Sequence, residues 1–293
     1  MEQNDYFGKI LSIDEAGTEI KDDAFSVDYD EFGNYILNVY VSNPYENIDE
    51  LAEYFNKIRA KNSYVDSYSI KSSLKECSLS EREEKDCFCF SFLIDKVGKV
   101  IDFTLLKRKI EIDIEMDRGD VFDTVEEEGA LCDYLIFING LSDLLYAQRN
   151  NGKEFVTYGK YIDYDITFPR EFTFLVNQYI AEKFQQSQIP FIYDVKEYER
   201  YNYHSIGWYY TSTPTKSSSS DGKIKYYYGA FTSPLQNYED LKNLEILSAF
   251  LLQDNSKDEF ESLKQKYNDE LKDYIRLKED KTEEYRIPKR GRK

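Results

Sequence analysis

The sequence predicts an α+β protein with a sheet-rich first half and a helical second half. Residues 24–44 alternate apolar and polar side chains on both sides of the turn signal EFGN, which is typical of a β-hairpin. Residues 87–117 give a second strand pair around the turn KVGK. Further along, apolar side chains recur at helical spacing in EEEGALCDYLIFINGLSDLLYAQ and in REFTFLVNQYIAEKFQQS. We therefore expect a mixed sheet packed by helices.

Two more helices and one loop are predicted from shorter signals. A helix is expected at 48–60 with Asn47 as its cap, and another at 235–252 after the sequence TSP. Residues 212–222, STPTKSSSSDG, form a low-complexity segment that predicts a mobile loop.

The chain is expected to divide into a domain at 1–252 and a C-terminal segment at 253–293. This segment predicts a long charged helix with an apolar stripe at Phe260, Leu263, Tyr267, Leu271 and Tyr274. Its last eight residues, RIPKRGRK, carry five positive charges. We interpret this tail as the only concentrated positive charge in the chain. It is either solvated or in contact with RNA or an acidic partner.

The composition is strongly acidic. Of 293 residues, 38 are basic and 56 are acidic, which gives a net charge of -18. Such a surface repels polyanions, so contact with a nucleic acid requires a local basic track or bound metal ions. An aromatic content of 16% indicates a folded core rather than general disorder.

The cysteines and the N-terminus indicate the compartment. Cys77, Cys87, Cys89 and Cys132 accompany a single histidine in the whole chain, a combination that does not support a zinc site. They favour free structural thiols in a reducing compartment. The sequence shows neither a signal peptide nor the roughly 18 apolar residues of a membrane span. We expect a soluble cytoplasmic protein that does not contact a membrane.

An acidic bend near the start of the chain is the first candidate site. The stretch SIDEAGTEIKDDA, residues 12–24, places Asp14, Asp22 and Asp23 around a bend that contains a glycine. These carboxylates either hold a divalent metal or form one more acidic patch. Hard oxygen ligands of this kind suit Mg²⁺.

Five stretches between residues 10 and 250 follow one another in the order of a known domain. They are IDEAGTEIKDDAFSV, YILNVYVSN, ECSLSEREEKDCFCFSFLIDKVGKV, REFTFLVNQYIAEKFQQSQIP and YGAFTSPLQNYEDL. Together they resemble the RNB domain, the catalytic domain of the RNase II and RNase R family of exoribonucleases. The last stretch is similar to the family's Y-x-x-F-T-S-P-I-R-R-Y-x-D-L. The resemblance implies a divergent, truncated RNB-type catalytic core without the family's flanking OB-type domains.

The resemblance also implies roles for single residues. Asp14, Asp22 and Asp23 fall on three of the four family aspartates, and Ile20 occupies the remaining position. They are therefore expected to be catalytic and to hold one Mg²⁺, whereas Ile20 leaves a second ion poorly held. Glu171 falls on the family's active-site glutamate. The residues expected to contact RNA, including those of the basic tail, are Tyr64, Gln236, Tyr238, Arg286, Lys289 and Arg290.

Two departures from the family pattern bear on catalysis. Gln236 stands where the family has an arginine that contacts the phosphate, and Leu244 stands where it has a histidine. The arginine supplies a bidentate, charge-assisted contact, and losing one transition-state donor costs about 10²–10³ in rate.

Three functions follow from this pattern. The first is a Mg²⁺-dependent 3′-5′ exoribonuclease of reduced activity, acting on single-stranded RNA. The second is a catalytically inactive RNB fold that binds RNA or serves as a structural subunit of a larger RNA-containing assembly, in which it has protein partners. The third is a binding module unrelated to RNA. No DNA partner is expected.

Overall fold

The computed structural model describes six ranges of the chain, which are 5–44, 75–150, 168–198, 205–218, 224–251 and 255–286. The chain forms two compact units. Unit 1 combines Met1–Val176 with Phe231–Leu241, and unit 2 combines Asn177–Ala230 with Lys242–Lys293. The two compact units do not coincide with the expected division into 1–252 and 253–293, which stays a prediction.

Unit 1 is built on a six-stranded mixed sheet in the order β5-β4-β3-β2-β1-β6. The strands are β1 Leu11–Asp14, β2 Asp23–Tyr29, β3 Tyr35–Ser42, β4 Lys85–Ile94, β5 Val100–Ile110 and β6 Ile114–Asp117. Strands β1 to β5 pair antiparallel with their neighbours, and β6 runs parallel to β1. This topology confirms the predicted hairpin at 24–44 and the predicted strand pair at 87–117.

The two hairpin turns follow from an aspartate at the start of each turn. The Asp30 carboxylate accepts a hydrogen bond from the Asn34 backbone N–H at 2.8 Å. Asp95 begins the β4–β5 turn in the same way. This second turn also needs Gly98, because its φ is +84° and an added Cβ would lie 2.8 Å from the Leu144 carbonyl oxygen. Both turns fix the register of the strands that they join.

Helices cover one face of this sheet. Helix α1 (Arg118–Glu126) and helix α2 (Ala130–Arg149) follow β6. Helix α3 (Phe168–Gln186) begins where the next described range begins. Phe25 of β2 packs edge-to-face against Phe168 and Phe172 of α3, with ring centroids 5.5 and 5.4 Å apart. The helical second half and the mixed α+β class predicted from the sequence are therefore confirmed.

Helix α2 is apolar enough to resemble a membrane span. Among the described helices it is the one that has the length and hydropathy to cross a membrane, which is weak evidence because core helices share this property. Its buried residues include Leu135, Ile138 and Leu141, which are at most 1% exposed. The expectation that the protein does not contact a membrane stays a prediction.

The four cysteines are buried and form no disulfide among the described residues, as the sequence predicts. Cys87 and Cys89 of β4 lie in a cluster with Tyr40 and Leu79, on a core face of the sheet. Burial raises the pKa of both thiols, to about 12 and about 11, so they stay protonated near neutral pH. The cytoplasmic location itself stays a prediction.

Unit 2 contains two short antiparallel ladders and the C-terminal helices. Strand β7 (Tyr193–Tyr198) pairs with β8 (Ser205–Thr211), and β9 (Ser217–Ser218) pairs with β10 (Lys225–Tyr226). Helix α4 (Tyr238–Leu251) enters this unit at Lys242, and helix α5 (Lys257–Arg286) follows it. These two helices confirm the predicted ones, whereas the helix expected at 48–60 lies outside the described residues.

The C-terminal helix is held to α4 by a buried lysine and by the predicted apolar stripe. The Lys242 amino group contacts Glu245 at 2.8 Å and Glu270 at 2.6 Å, and lies 5.0 Å from the centre of the Tyr267 ring. Tyr267, Leu271 and Tyr274 of the stripe are buried. The helix therefore packs in unit 2 through its apolar face.

The expectation of a mobile loop over 212–222 is wrong for part of that segment. Ser217 and Ser218 are 2% exposed and form β9. The Ser217 hydroxyl donates to the Asp194 carbonyl oxygen at 2.8 Å and accepts from the Lys196 N–H at 3.0 Å. Short polar side chains can replace backbone partners in this way, which composition alone does not reveal.

We predict that Tyr134→Phe lowers the free energy of unfolding by about 1–3 kcal/mol, because it leaves a buried N–H without a partner. The Tyr134 hydroxyl accepts from the Val27 N–H at 3.1 Å and donates to the Lys9 carbonyl oxygen at 3.0 Å. Urea denaturation followed by far-UV circular dichroism measures the change. Tyr35→Phe is the control, because the Tyr35 ring packs on Phe137 and its hydroxyl bonds to no described residue. Equal stability of parent and Tyr134→Phe would contradict the prediction.

Candidate functional site

The segment 231–241, FTSPLQNYEDL, is held in shape by its own buried carboxylate. Asp240 is 3% exposed, and its side chain accepts a hydrogen bond from the Ser233 N–H at 2.8 Å. The Gln236 N–H donates to the Ser233 carbonyl oxygen at 3.2 Å and closes a turn around Pro234. These contacts fix the positions from which Leu235 and Gln236 reach the acidic bend.

Both side-chain oxygens of Asp22 are bonded to this segment. The Leu235 N–H donates to Asp22 Oδ1 at 2.6 Å, and the Gln236 amide nitrogen donates to Asp22 Oδ2 at 2.6 Å. Asp22 is 3% exposed, and its backbone carbonyl oxygen accepts from the Ser42 N–H at 2.8 Å. The central carboxylate of the predicted site is therefore capped by two uncharged donors of the same chain.

Burial dominates the protonation of this acidic group. It raises the pKa of Asp22 to about 7, although the hydrogen bonds from Leu235 and Gln236 act in the opposite direction. Burial also raises the pKa of Asp240 to about 7. The pKa of Asp23 is raised by burial and then by the neighbouring Asp22 and Asp14 carboxylates. These carboxyl groups therefore interact electrostatically, and the Asp22 carboxylate raises the pKa of both Asp23 and Asp240.

Asp14 lies at the end of β1, where it pairs in register with Asp117 of β6. Its side chain accepts a hydrogen bond from the Ser12 hydroxyl at 2.7 Å. Burial raises the pKa of Asp14, and the Ser12 hydrogen bond partly opposes this change. The nearby Lys21 amino group pairs with Glu115 at 2.6 Å and leaves Asp14 with a hydroxyl as its direct partner.

Glu171, predicted as the active-site glutamate, is paired with an arginine that the sequence analysis missed. Arg149 Nη2 lies 2.7 Å from both carboxylate oxygens of Glu171, which is 3% exposed. The guanidinium group also lies 4.2 Å from the centre of the Phe174 ring and 5.2 Å from that of Tyr146. The charge of the Glu171 carboxylate is thus compensated by the Arg149 guanidinium group.

This arrangement does not present a ready metal site. Within the described ranges, no three His, Cys, Asp or Glu side chains are grouped so as to hold a metal ion. Each Asp22 oxygen already accepts one hydrogen bond, and no two further carboxylates of the described residues are grouped with Asp22 to complete the oxygen shell that Mg²⁺ prefers. The residues as placed do not fit the ion, and Mg²⁺ binding stays a prediction.

The structure accounts for some of the predicted site residues and not for others. It brings Asp14, Asp22 and Asp23 together and bonds Gln236 to Asp22. Tyr238 is the first residue of α4, and Arg286 is the last residue of α5. Three predicted RNA contacts lie outside the described residues, namely Tyr64, Lys289 and Arg290. Their roles, like those of the aspartates, stay predictions.

Two contributors to the site were not identified from the sequence. Asp240 could have been found, because it is the aspartate of the quoted Y-x-D-L motif. Arg149 carries no such signal, since it is the last residue of α2 and meets Glu171 only in the folded chain. A buried ion pair of this kind depends on tertiary structure rather than on local pattern.

Solved structures share this fold. Mycoplasma genitalium RNase R with double-stranded RNA aligns with a TM-score of 0.70 at 15% identity, over 94% of this chain and 64% of its own. The same protein with ribose-methylated single-stranded RNA aligns with a TM-score of 0.64 at 16% identity, over 94% of this chain and 56% of its own. The active-site mutant of Candida glabrata Dss1 exoribonuclease aligns with a TM-score of 0.62 at 15% identity, over 92% of this chain and 46% of its own. Yeast Ssd1, a pseudonuclease, aligns with a TM-score of 0.67 at 15% identity, over 93% of this chain and 42% of its own.

These likenesses show the fold. The chain has the RNB-type fold that the five sequence stretches predict, and it spans less than two thirds of each of these proteins. No protein-family model matches the sequence, and no curated protein matches it. At about 15% identity the comparison does not carry over an activity.

We predict an unusual pH dependence of stability at Asp22. Its pKa is about 7 in the folded protein and near 3.8 when unfolded, so unfolding releases a proton between these values. The stabilisation is complete below pH 4 and is lost as the pH rises through 7. Relative to Asp22→Asn, the free energy of unfolding of the parent should fall by on the order of a few kcal/mol from pH 4 to 8.

Urea denaturation at several pH values measures this difference. Asp30→Asn is the matched control, because hydrogen bonds from Asn34 lower the pKa of Asp30 and give the opposite sign. Its contribution is present above the unfolded pKa and is lost as the pH falls. A parent-to-Asp22→Asn difference that stays constant from pH 4 to 8 would contradict the prediction.

Proposed function

We propose that this chain binds single-stranded RNA through its RNB-type fold without hydrolysing it. The observation that carries the proposal is the bond from the Gln236 amide to Asp22 Oδ2, together with the Leu235 N–H on Oδ1. The residue expected to contact the phosphate is thereby engaged with the carboxylate expected to be catalytic. The Gln236 amide has Asp22 as its acceptor, and Asp22 Oδ2 has the Gln236 amide as its donor.

The chemistry of this pair opposes phosphodiester cleavage. A glutamine carries no charge, so it cannot replace the charge-assisted contact of an arginine to the phosphoryl group. Moving the Gln236 amide onto a phosphate would also leave Asp22 Oδ2 without its partner. For a carboxylate that is 3% exposed, this loss costs about 1–3 kcal/mol or more.

The comparisons support both parts of the proposal. The matched RNase R was solved with double-stranded RNA and with ribose-methylated single-stranded RNA, so this fold accommodates RNA in that protein. Yeast Ssd1 is described as a pseudonuclease and aligns over 93% of this chain. A non-hydrolytic protein with this fold therefore has a structural precedent.

A Mg²⁺-dependent 3′-5′ exoribonuclease of reduced activity is the second candidate. It is favoured by the mutual repulsion among Asp23, Asp22 and Asp14, because a bound cation would relieve it. The residues as placed do not fit the ion, so this candidate requires that Gln236 first release Asp22. The predicted RNA contacts at Tyr64, Tyr238 and the basic tail are compatible with either candidate function. A protein partner in a larger assembly is also compatible with both.

The first test uses a 5′-labelled single-stranded oligoribonucleotide in Mg²⁺ and in Mn²⁺. We predict that the parent retains it in a gel shift at low salt without shortening it. The double variant Ile20→Asp/Gln236→Arg should shorten it from the 3′ end, since it restores a carboxylate and a phosphate contact. Gln265→Arg, on the exposed side of α5, is the control for an added arginine and should not cleave.

The possible results separate the candidates. A ladder produced by the parent and abolished in Asp22→Asn would establish the exoribonuclease and overturn the first proposal. Failure of the parent to retain the oligonucleotide, together with no cleavage, would exclude RNA as its ligand. No cleavage by the double variant would show that Ile20 and Gln236 are not by themselves what prevents hydrolysis.

A further inference from the structure

Three adjacent cations lie on the edge of the sheet in unit 1. Lys107, Arg108 and Lys109 occupy the last part of β5, and all three are exposed. Within the described part of the chain, β5 pairs with β4 and forms one edge of the sheet. We call these residues the β5 ridge. They correct the interpretation that the C-terminal tail holds the only concentrated positive charge.

Strand register places the β5 ridge at the same end of the sheet as the acidic bend. Asp23 is paired with Val41, Val41 with Phe88, and Phe88 with Lys107. Residues directly opposite in antiparallel strands share a face of the sheet. Three interstrand steps of about 4.8 Å put Lys107 about 14 Å from Asp23, measured across the strands.

The cations of the β5 ridge have only weak internal partners. The Lys107 amino group lies 5.6 Å from the centre of the Phe88 ring. Lys109 Nζ lies 3.6 Å from Asp86, with side chains 62% and 31% exposed, and such exposed pairs contribute little. Arg108 makes no ion pair with a described residue. The ridge can therefore exchange its present contacts for a ligand at low cost.

Charged side chains on edge strands also prevent edge-to-edge pairing of sheets. Lysine is the residue most often used for that purpose, and edge protection is therefore the alternative that the test must separate from ligand binding. Three consecutive cations also match a ligand with repeated negative charges. Lys107 and Lys109 project from one face of the strand and Arg108 from the other, so the ridge presents charge on both sides of the edge.

We propose that the β5 ridge contacts the phosphate backbone of the single-stranded RNA. The inference rests on the proposed function and names the surface that performs it. The ridge supplies the local basic track that a protein of net charge -18 needs for RNA binding. Outward-facing backbone N–H groups of the edge strand add donors for phosphate oxygens. The bound strand would then lie beside the capped Asp22 rather than on it.

The test compares two double variants with the same change in charge. Lys107→Gln/Lys109→Gln removes two charges from the ridge, and Lys96→Gln/Lys99→Gln removes two exposed charges from the turn at the other end of the same strand pair. Binding of a fluorescent oligoribonucleotide is measured from 50 to 200 mM salt. Each lost contact to a single strand lowers the slope of log K against log salt by about 0.7.

We predict a slope reduction of about 1.4 and a loss of affinity of about 10- to 30-fold near 0.1 M salt for the ridge variant. The turn variant should bind like the parent. Circular dichroism verifies that both variants are folded. The charge-retaining variant Lys107→Arg/Lys109→Arg should restore the parent's slope, because the contact requires charge rather than lysine.

Three results would overturn the inference. Parent-like affinity and slope in the ridge variant would show that the ridge does not contact RNA. Equal losses in both variants would indicate a general field effect. Parent-like binding with new dimers in light scattering would assign the ridge to edge protection. Failure of the parent itself to bind RNA would instead overturn the proposed function, so the two failures are distinguishable.

Discussion

The hydrogen bonds that cap Asp22 are the constraint on which the site in unit 1 depends. The Gln236 amide and the Leu235 N–H come from residues more than 200 positions away in sequence, and both lie 2.6 Å from the carboxylate. Without these hydrogen bonds, burial of a carboxylate that is 3% exposed would be unfavourable. The burial of Asp22 and the path of 231–241 therefore depend on each other, and Asp240 secures the other side by bonding to Ser233.

A buried carboxylate can be stabilised by a metal ion, by an arginine, by uncharged donors or by a proton. This chain uses the last two at Asp22, whose pKa is raised to about 7, and an arginine at Glu171. All of these partners belong to the chain itself. At Asp22 and Glu171, a substrate or ion would therefore have to compete with internal partners.

The sequence was sufficient for the elements and for the order of the motifs, because those depend on local pattern. Alternating residues gave β2 to β5, and the Asp30 and Asp95 turns gave the hairpins. The site was predicted only in part. The sequence identified Gln236 as a lost phosphate contact but did not predict that it bonds to Asp22, since that contact depends on tertiary structure.

The β5 ridge was not predicted from the sequence for a different reason. Charge along the sequence does not show which strand forms the edge of a sheet. Lys107, Arg108 and Lys109 are followed directly by the acidic stretch 111–117 in a chain of net charge -18, so the three cations do not stand out in the linear sequence. Pairing of β4 with β5 places them at the margin of the sheet, where exposure and not composition sets their effect on a ligand.

The presence of three aspartates in the acidic bend is therefore weak evidence for catalysis. Asp22 has a structural reason to be present, because the Leu235 N–H and the Gln236 amide both need an acceptor in a buried position. An alanine there would leave two donors unpaired, whereas an asparagine would keep one acceptor and remove the buried charge. A chain that only binds RNA would gain as much from this carboxylate as an enzyme would. What distinguishes the two is whether Asp22 can act on a substrate, and in this chain each of its oxygens already accepts a hydrogen bond.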